Sequence, residues 1–312
     1  MHFFTNPVEW KDHSTLRRDY SVPSPPLAPG SCIARARNAL YSREHIESST
    51  SRGRVMLGKW VAALLLFASA AAAAQDGPVI AAASDLKFAL DEIAGAFQRQ
   101  TGRKVRVAYG SSGNFFSQIA QDAPFELFMS ADEEYVHRLA RQRRTLDQGV
   151  LYATGRIVLF VPAGSPVAAD PEFADLRRSL ADGRLRKFAI ANPQHAPYGR
   201  AAMQALQGRG LWAAIEPKLV LGENVSQAAQ FAVSGSAQAA IFALSLAKAP
   251  SFAQAGSFVL VPEELHQPLR QRMALTARAG STAREFYSYL QQPAARAVFR
   301  KHGFALPGEA AD

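Results

Sequence analysis

The chain reads as an α/β protein folded into two lobes, with a ligand held in the cleft between them. Three observations predict this. Short apolar runs alternate with amphipathic helical stretches from Val79 to Phe299, the order that βαβ units of a mostly parallel sheet require. About nine such strands are too many for one compact sheet in a chain of this length. Small polar residues follow several strand ends and open helices directly, and ligands of open α/β sheets bind at those carboxyl ends.

The run 79–83 is apolar and reads as a buried strand. It stops at Ser84 and Asp85, and a helical pattern begins, with Leu86, Leu90 and Ile93 on one face and Lys87, Asp91 and Glu92 on the other. Ser84 is therefore expected at the N-cap, where a hydroxyl, the free N–H groups of the first turn and the helix dipole point the same way. Alone, such a junction does no more than cap its helix. It recurs, however, at Ser111-Ser112-Gly113 after the strand 103–109, at Pro197-Tyr198-Gly199 after the strand 188–190, and at Asn224-Val225-Ser226 after the strand 218–221. Helix starts of this kind bind anions.

The other elements fill in the two lobes. Strand 125–129 ends in Ser130-Ala131-Asp132, which caps a helix through Tyr135, Val136 and Leu139. Strand 157–161 is stopped by Pro162, Gly164 and Pro166, and a short helix covers 173–180. Strands follow at 239–243, 258–261 and 271–275, and the tail forms amphipathic helices at 282–290 and 294–299. The chain is expected to leave lobe one near Gly155 and return near Pro268. Lobe one is then 75–155 with 270–312, and lobe two is 156–269.

Residues 1–55 have scattered prolines, serine-rich stretches and no apolar periodicity, so they are not expected to contribute to a core. Residues 56–74 have the layout of a secretory signal peptide: Lys59, an apolar run from Trp60 to Ala68, then small residues. The expectation is that translation starts at Met56 and that cleavage near Ala74 releases an exported protein. No cysteine closes the apolar run, so no lipid anchor is expected. Cys32 is the only cysteine and precedes the run, so the exported chain must be held by its core alone. Nine of the 35 lysines and arginines also fall before residue 75, and the net charge of +9 drops to roughly +5 after it. The remaining basic residues are dispersed, as on solvated faces, and do not form a nucleic-acid footprint.

Catalytic constellations are missing. Gly110-Ser111-Ser112-Gly113 lacks the spacing of a nucleophile elbow, and Gly208-Arg209-Gly210 reads as a helix end. His137, His195, His266 and His302 are too scattered for a metal site, so neither metal nor cofactor is expected. Asp132, Glu133 and Glu134 read as a solvated first turn. His195 lies near the expected cleft with no nucleophile beside it in the sequence. What remains is a set of neutral donors. Each hydrogen bond to a charged partner is worth roughly 1.5–3 kcal/mol, so several can hold a small oxyanion without a counter-charge.

The stretches AAASDL at 81–86, YGSSGNF at 109–115, APFELFMSADE at 123–133, NPQHAPYGRAAMQAL at 192–206, ENVSQA at 223–228 and FYSYLQQPAARAVFRKHGF at 286–304 together resemble the periplasmic molybdate-binding proteins of the ABC transporter family. The resemblance implies a type II periplasmic-binding-protein fold holding a tetrahedral oxyanion between the lobes. It implies a monomer that captures molybdate or tungstate and delivers it to a membrane permease. Carried over by position, Ser84 and Ser112 give hydroxyl and N–H, Tyr198 and Val225 give N–H, and Asp85 gives at most its N–H, its carboxylate turned from the dianion. Ala243 stands where some members supply a tyrosine hydroxyl, so either Tyr198 takes over or one donor is missing. The alternatives are a receptor for sulfate or phosphate, and an enzyme of the same fold using His195 and Glu126.

Overall fold

Strand β1, Val79–Ala83, is buried at four of its five positions, as a strand with both faces covered must be. The computed structural model describes residues 77–309; the expected leader, the signal peptide at 56–74 and Cys32 lie outside them. β1 pairs in parallel with β2 (Arg106–Gly110) on one side and β3 (Leu127–Ser130) on the other. The first five-stranded sheet has the order β2-β1-β3-β10-β4, with β10 (Leu269–Leu275) antiparallel to both β3 and β4 (Val150–Gly155). The second sheet has the order β7-β6-β8-β5-β9. Its strands are β5 (Ile157–Pro162), β6 (Phe188–Ala191), β7 (Leu219–Gly222), β8 (Ala239–Ala243) and β9 (Gly256–Leu260). β6 runs parallel to β7 and β8, and β5 antiparallel to β8 and β9.

β4 is absent from the sequence reading. Its apolar run, Val150 to Ala153, is only four residues long between glycines at 149 and 155, and it is held in place by β10. The chain crosses from the first sheet to the second at Arg156, the single residue between β4 and β5, and returns ahead of Leu269.

The terminal helices Ser281–Tyr289 and Pro293–Lys301 close over the first sheet. Phe97 on the helix Lys87–Thr101 meets Phe286 and Tyr289 edge-on at 5.1 and 5.4 Å, and Phe299 lies 5.5 Å from the ring of Tyr152. Burying each such ring is worth roughly 1.5–3 kcal/mol, and edge-to-face packing adds about 0.5–1.5. This wedge of aromatics ties the C-terminal segment to the helix that follows β1.

Two local readings are corrected. Ser84 is not an N-cap: Ser84–Leu86 form a tight 3-10 turn, and no side chain caps the helix Lys87–Thr101 that follows. The extra turn frees the Ser84 side chain to face the other lobe. Nor is the first turn after Asp132 simply solvated. Asp132 caps the helix Glu133–Arg141 by accepting from the Glu134 N–H at 2.9 Å, while Glu133 pairs with Arg270 and Arg272 from β10.

Candidate functional site

Every helix start singled out in the sequence comes to one place. Ser84 and Asp85 follow β1, Ser111 and Ser112 follow β2, and Ala131 follows β3, all at the carboxyl edge of the first sheet. From the second sheet, β6 leads to Ala196, Pro197 and Tyr198, and β7 leads to Val225. Together with Ala83 and Gly110 these residues line a small cavity between the two sheets. All five residues expected from the sequence, Ser84, Asp85, Ser112, Tyr198 and Val225, are among them.

The donors are of two kinds. Ser112, Tyr198 and Val225 lie in the first turns of the helices Ser112–Ala120, Pro197–Gly208 and Val225–Val233, where backbone N–H groups have no partner within the helix. The hydroxyls come from the first lobe. Ser112 Oγ accepts the Ala131 N–H at 2.9 Å, which leaves its own proton to give away. Ser84 Oγ donates to Asn224 Oδ1 at 3.1 Å and accepts from the Ser226 N–H at 3.2 Å, and Ser226 Oγ donates to the Ser84 carbonyl at 2.9 Å. No lysine, arginine or histidine lines the cavity.

The Asp85 carboxylate is buried and bonded within the protein: Oδ2 accepts from Tyr198 Oη at 2.9 Å and from Gln271 Nε2 at 2.6 Å. Gln271 Oε1 accepts in turn from Tyr152 Oη at 2.7 Å, and Ser245 Oγ donates to the Asp85 carbonyl at 2.7 Å. Burial pushes the Asp85 carboxyl up to about 6, against the pull of the Gln271 and Tyr198 hydrogen bonds. Burial first, and the charge of Asp85 second, hold both Tyr198 and Tyr152 well above 10. The Tyr198 hydroxyl is therefore spent on Asp85. It does not take over the donor that Ala243 lacks, and Ala243 itself is buried in β8.

The close approach of this network depends on Gly155. A Cβ there would stand 2.1 Å from Tyr198 Oη and 2.9 Å from Gln271 Nε2. Sequence reading missed Gln271, Tyr152 and Ser245. Ser245 alone carried a legible signal, a hydroxyl two residues after the buried run of β8.

Around the cavity the lobes are latched. Ser111 Oγ caps its helix by accepting from the Asn114 N–H at 3.3 Å, donates to the His195 carbonyl at 3.0 Å and lies 2.8 Å from His195 Nδ1. The Gly113 N–H donates to the same carbonyl at 2.9 Å. Arg200 pairs with Asp132, and its Nη1 donates to Tyr135 Oη at 3.1 Å. The structure thus puts a hydroxyl beside His195 that the sequence did not. Glu126, the other residue of the enzyme alternative, accepts from the Gly280 N–H at 2.7 Å, at the far end of β3 from the cavity.

The description "bacterial extracellular solute-binding protein" belongs to the family model that matches residues 78–305. The chain is 35% identical over 252 residues to the molybdate-binding protein ModA of Rhodobacter capsulatus, covering 78% of this chain and 94% of that protein. It is 34% identical over 261 residues to the molybdate-binding protein ModA of Azotobacter vinelandii, covering 83% and 98%. The solved Azotobacter vinelandii periplasmic molybdate-binding protein superposes with a TM-score of 0.66 at 30% identity, covering 74% of this chain and 99% of that one. Two latched α/β lobes, a cavity lined from both, and these likenesses over nearly the whole described chain lead to one conclusion: the chain belongs to the bacterial extracellular solute-binding protein family.

Proposed function

We propose that this protein is an extracytoplasmic receptor that captures molybdate, and tungstate of the same charge and shape, and hands it to an ABC permease. The observation that carries the reading is the cavity: first-turn N–H groups and the Ser112 hydroxyl converge from both lobes with no basic side chain among them, and the Ser84 hydroxyl joins them by turning its proton from Asn224 Oδ1 to the anion. Such a site solvates a small dianion by directed hydrogen bonds. The names of the relatives supply the identity of the oxyanion. We further read the protein as a monomer without catalysis, exported by a cleaved signal peptide and not lipid-anchored. His195 and Ser111 serve as a latch in this reading.

A thermal-shift panel of oxyanions tests it. A ligand at about a thousand times its dissociation constant adds about 4 kcal/mol of stability. Molybdate and tungstate should raise the melting temperature, while sulfate and phosphate at the same concentration should leave it unchanged. Stabilisation by sulfate or phosphate alone would reassign the ligand.

A further inference from the structure

Asp85 is the one carboxylate among the residues that line the cavity, and it lies where a dianion is least compatible with a negative charge. It is 1% exposed. Its Oδ2 is saturated by Tyr198 and Gln271, whereas Oδ1 is buried with no hydrogen-bond partner. The groups facing it are Tyr198 from the helix Pro197–Gly208, Gln271 from β10, Tyr152 from β4 through Gln271, and Ser245 from the turn Leu244–Ala247. Among the described residues no lysine, arginine or histidine pairs with it, and the two facing tyrosines stay neutral across the physiological range.

We propose that Asp85 is the neutral acid in the liganded state, so that the site takes up one proton from solvent with each oxyanion it binds. This rests on the receptor reading above. An ionised Asp85 would repel a dianion at close range in a dry cavity, and no cation is present to offset that repulsion. Protonation at Oδ1 removes the charge. It also turns a buried, unpartnered acceptor into a donor on a residue that lines the cavity, while Oδ2 keeps both bonds. Tyr198 belongs to the second lobe and Gln271 to the first, so the carboxyl that takes the proton also ties the lobes together. Without ligand the same carboxyl, pushed up only to about 6, is largely ionised at neutral pH. The proton is therefore acquired on binding.

The experiment is calorimetric titration of the full chain with sodium molybdate at about pH 7.5, in buffers of different ionisation enthalpy, repeated between about pH 6 and about pH 8.5. The wild type should take up about one proton per anion, and its dissociation constant should rise by about tenfold per pH unit above pH 6. Asp85→Asn keeps an acceptor for Tyr198 and Gln271; it should bind with uptake near zero and with an affinity that no longer varies with pH. Tight wild-type binding with no proton uptake and no pH dependence would overturn the inference and leave the receptor reading standing. Preference for hydrogen phosphate, its proton given to an ionised Asp85, would overturn both. So would failure to bind any oxyanion.

Discussion

At the scale of the residue, the two serines carry different loads. Ser112→Ala removes a donor to the anion and also strands the buried Ala131 N–H that Ser112 Oγ now accepts. Affinity for molybdate should fall by roughly tenfold to a hundredfold, and unfolding free energy by about 1–3 kcal/mol, read by calorimetric titration and by denaturant melts. Ser84 caps no helix, so Ser84→Ala should weaken binding comparably with little loss of stability in the unliganded protein. A stability loss as large as that of Ser112→Ala would show that the Ser84–Asn224–Ser226 bonds hold the free protein together. Asp85 makes a separate, pH-dependent prediction. Its carboxyl lies near 6 in the fold against an ordinary 3.8, so its contribution to stability is fully present below 3.8 and is lost as pH rises through 6. Asp85→Asn should therefore stabilise the unliganded protein by up to about 3 kcal/mol at pH 8 and by nothing at pH 3.5, measured as the difference in melts at the two values.

At the scale of the element, the junctions that end β1, β2, β6 and β7 were legible because each is local: an apolar run, one or two small polar residues, then a helical period. That locality marked the four junctions without knowledge of the fold, and the family resemblance singled out Ser84, Ser112, Tyr198 and Val225 within them. What was not legible is whatever depends on distant partners. The Asp85 carboxylate meets Gln271 across 186 positions of sequence, and Gln271 meets Tyr152 across 119, so no spacing rule could join them. β4 escaped for the same reason, since its pairing with β10 defines it more than its composition does. The N-cap expectation for Ser84 failed because a 3-10 turn and an α-helical start share one residue pattern. Gly155, at the end of β4, tests how much the network matters. Its Cβ would meet Tyr198 Oη, so Gly155→Ala should lower stability by roughly 1–3 kcal/mol and weaken anion binding, whereas Gly95→Ala, in the helix Lys87–Thr101 with only the Arg99 side chain near, should leave binding unaltered. Equal effects at both sites would show that the network has slack.

At the scale of the whole molecule, two sheets joined at Arg156 and ahead of Leu269 meet across a seam of latches: Ser111 and Gly113 with His195, Arg200 with Asp132 and Tyr135, Ser84 with Asn224 and Ser226. Each of these latches is a set of exchangeable hydrogen bonds or an ion pair, and beside them Phe88 of the first lobe meets Phe252 of the second edge-on at 6.2 Å. The lobes should therefore separate about the crossing strands when the ligand leaves. Small-angle scattering should show a smaller radius of gyration with molybdate than without; identical profiles would mean that the closed arrangement persists in the free protein. His195→Ala removes one ring nitrogen from this seam and leaves the His195 carbonyl bonds intact, so its molybdate affinity should stay within about tenfold of the wild type. If one oxyanion sits among Ser84, Ser112, Tyr198 and Val225, the anomalous scattering of tungstate in crystals grown with it locates it directly. A single strong peak is expected within hydrogen-bonding reach of the Ser84 and Ser112 hydroxyls and of the Tyr198 and Val225 N–H groups; a peak elsewhere, or none between the lobes, would rule this site out.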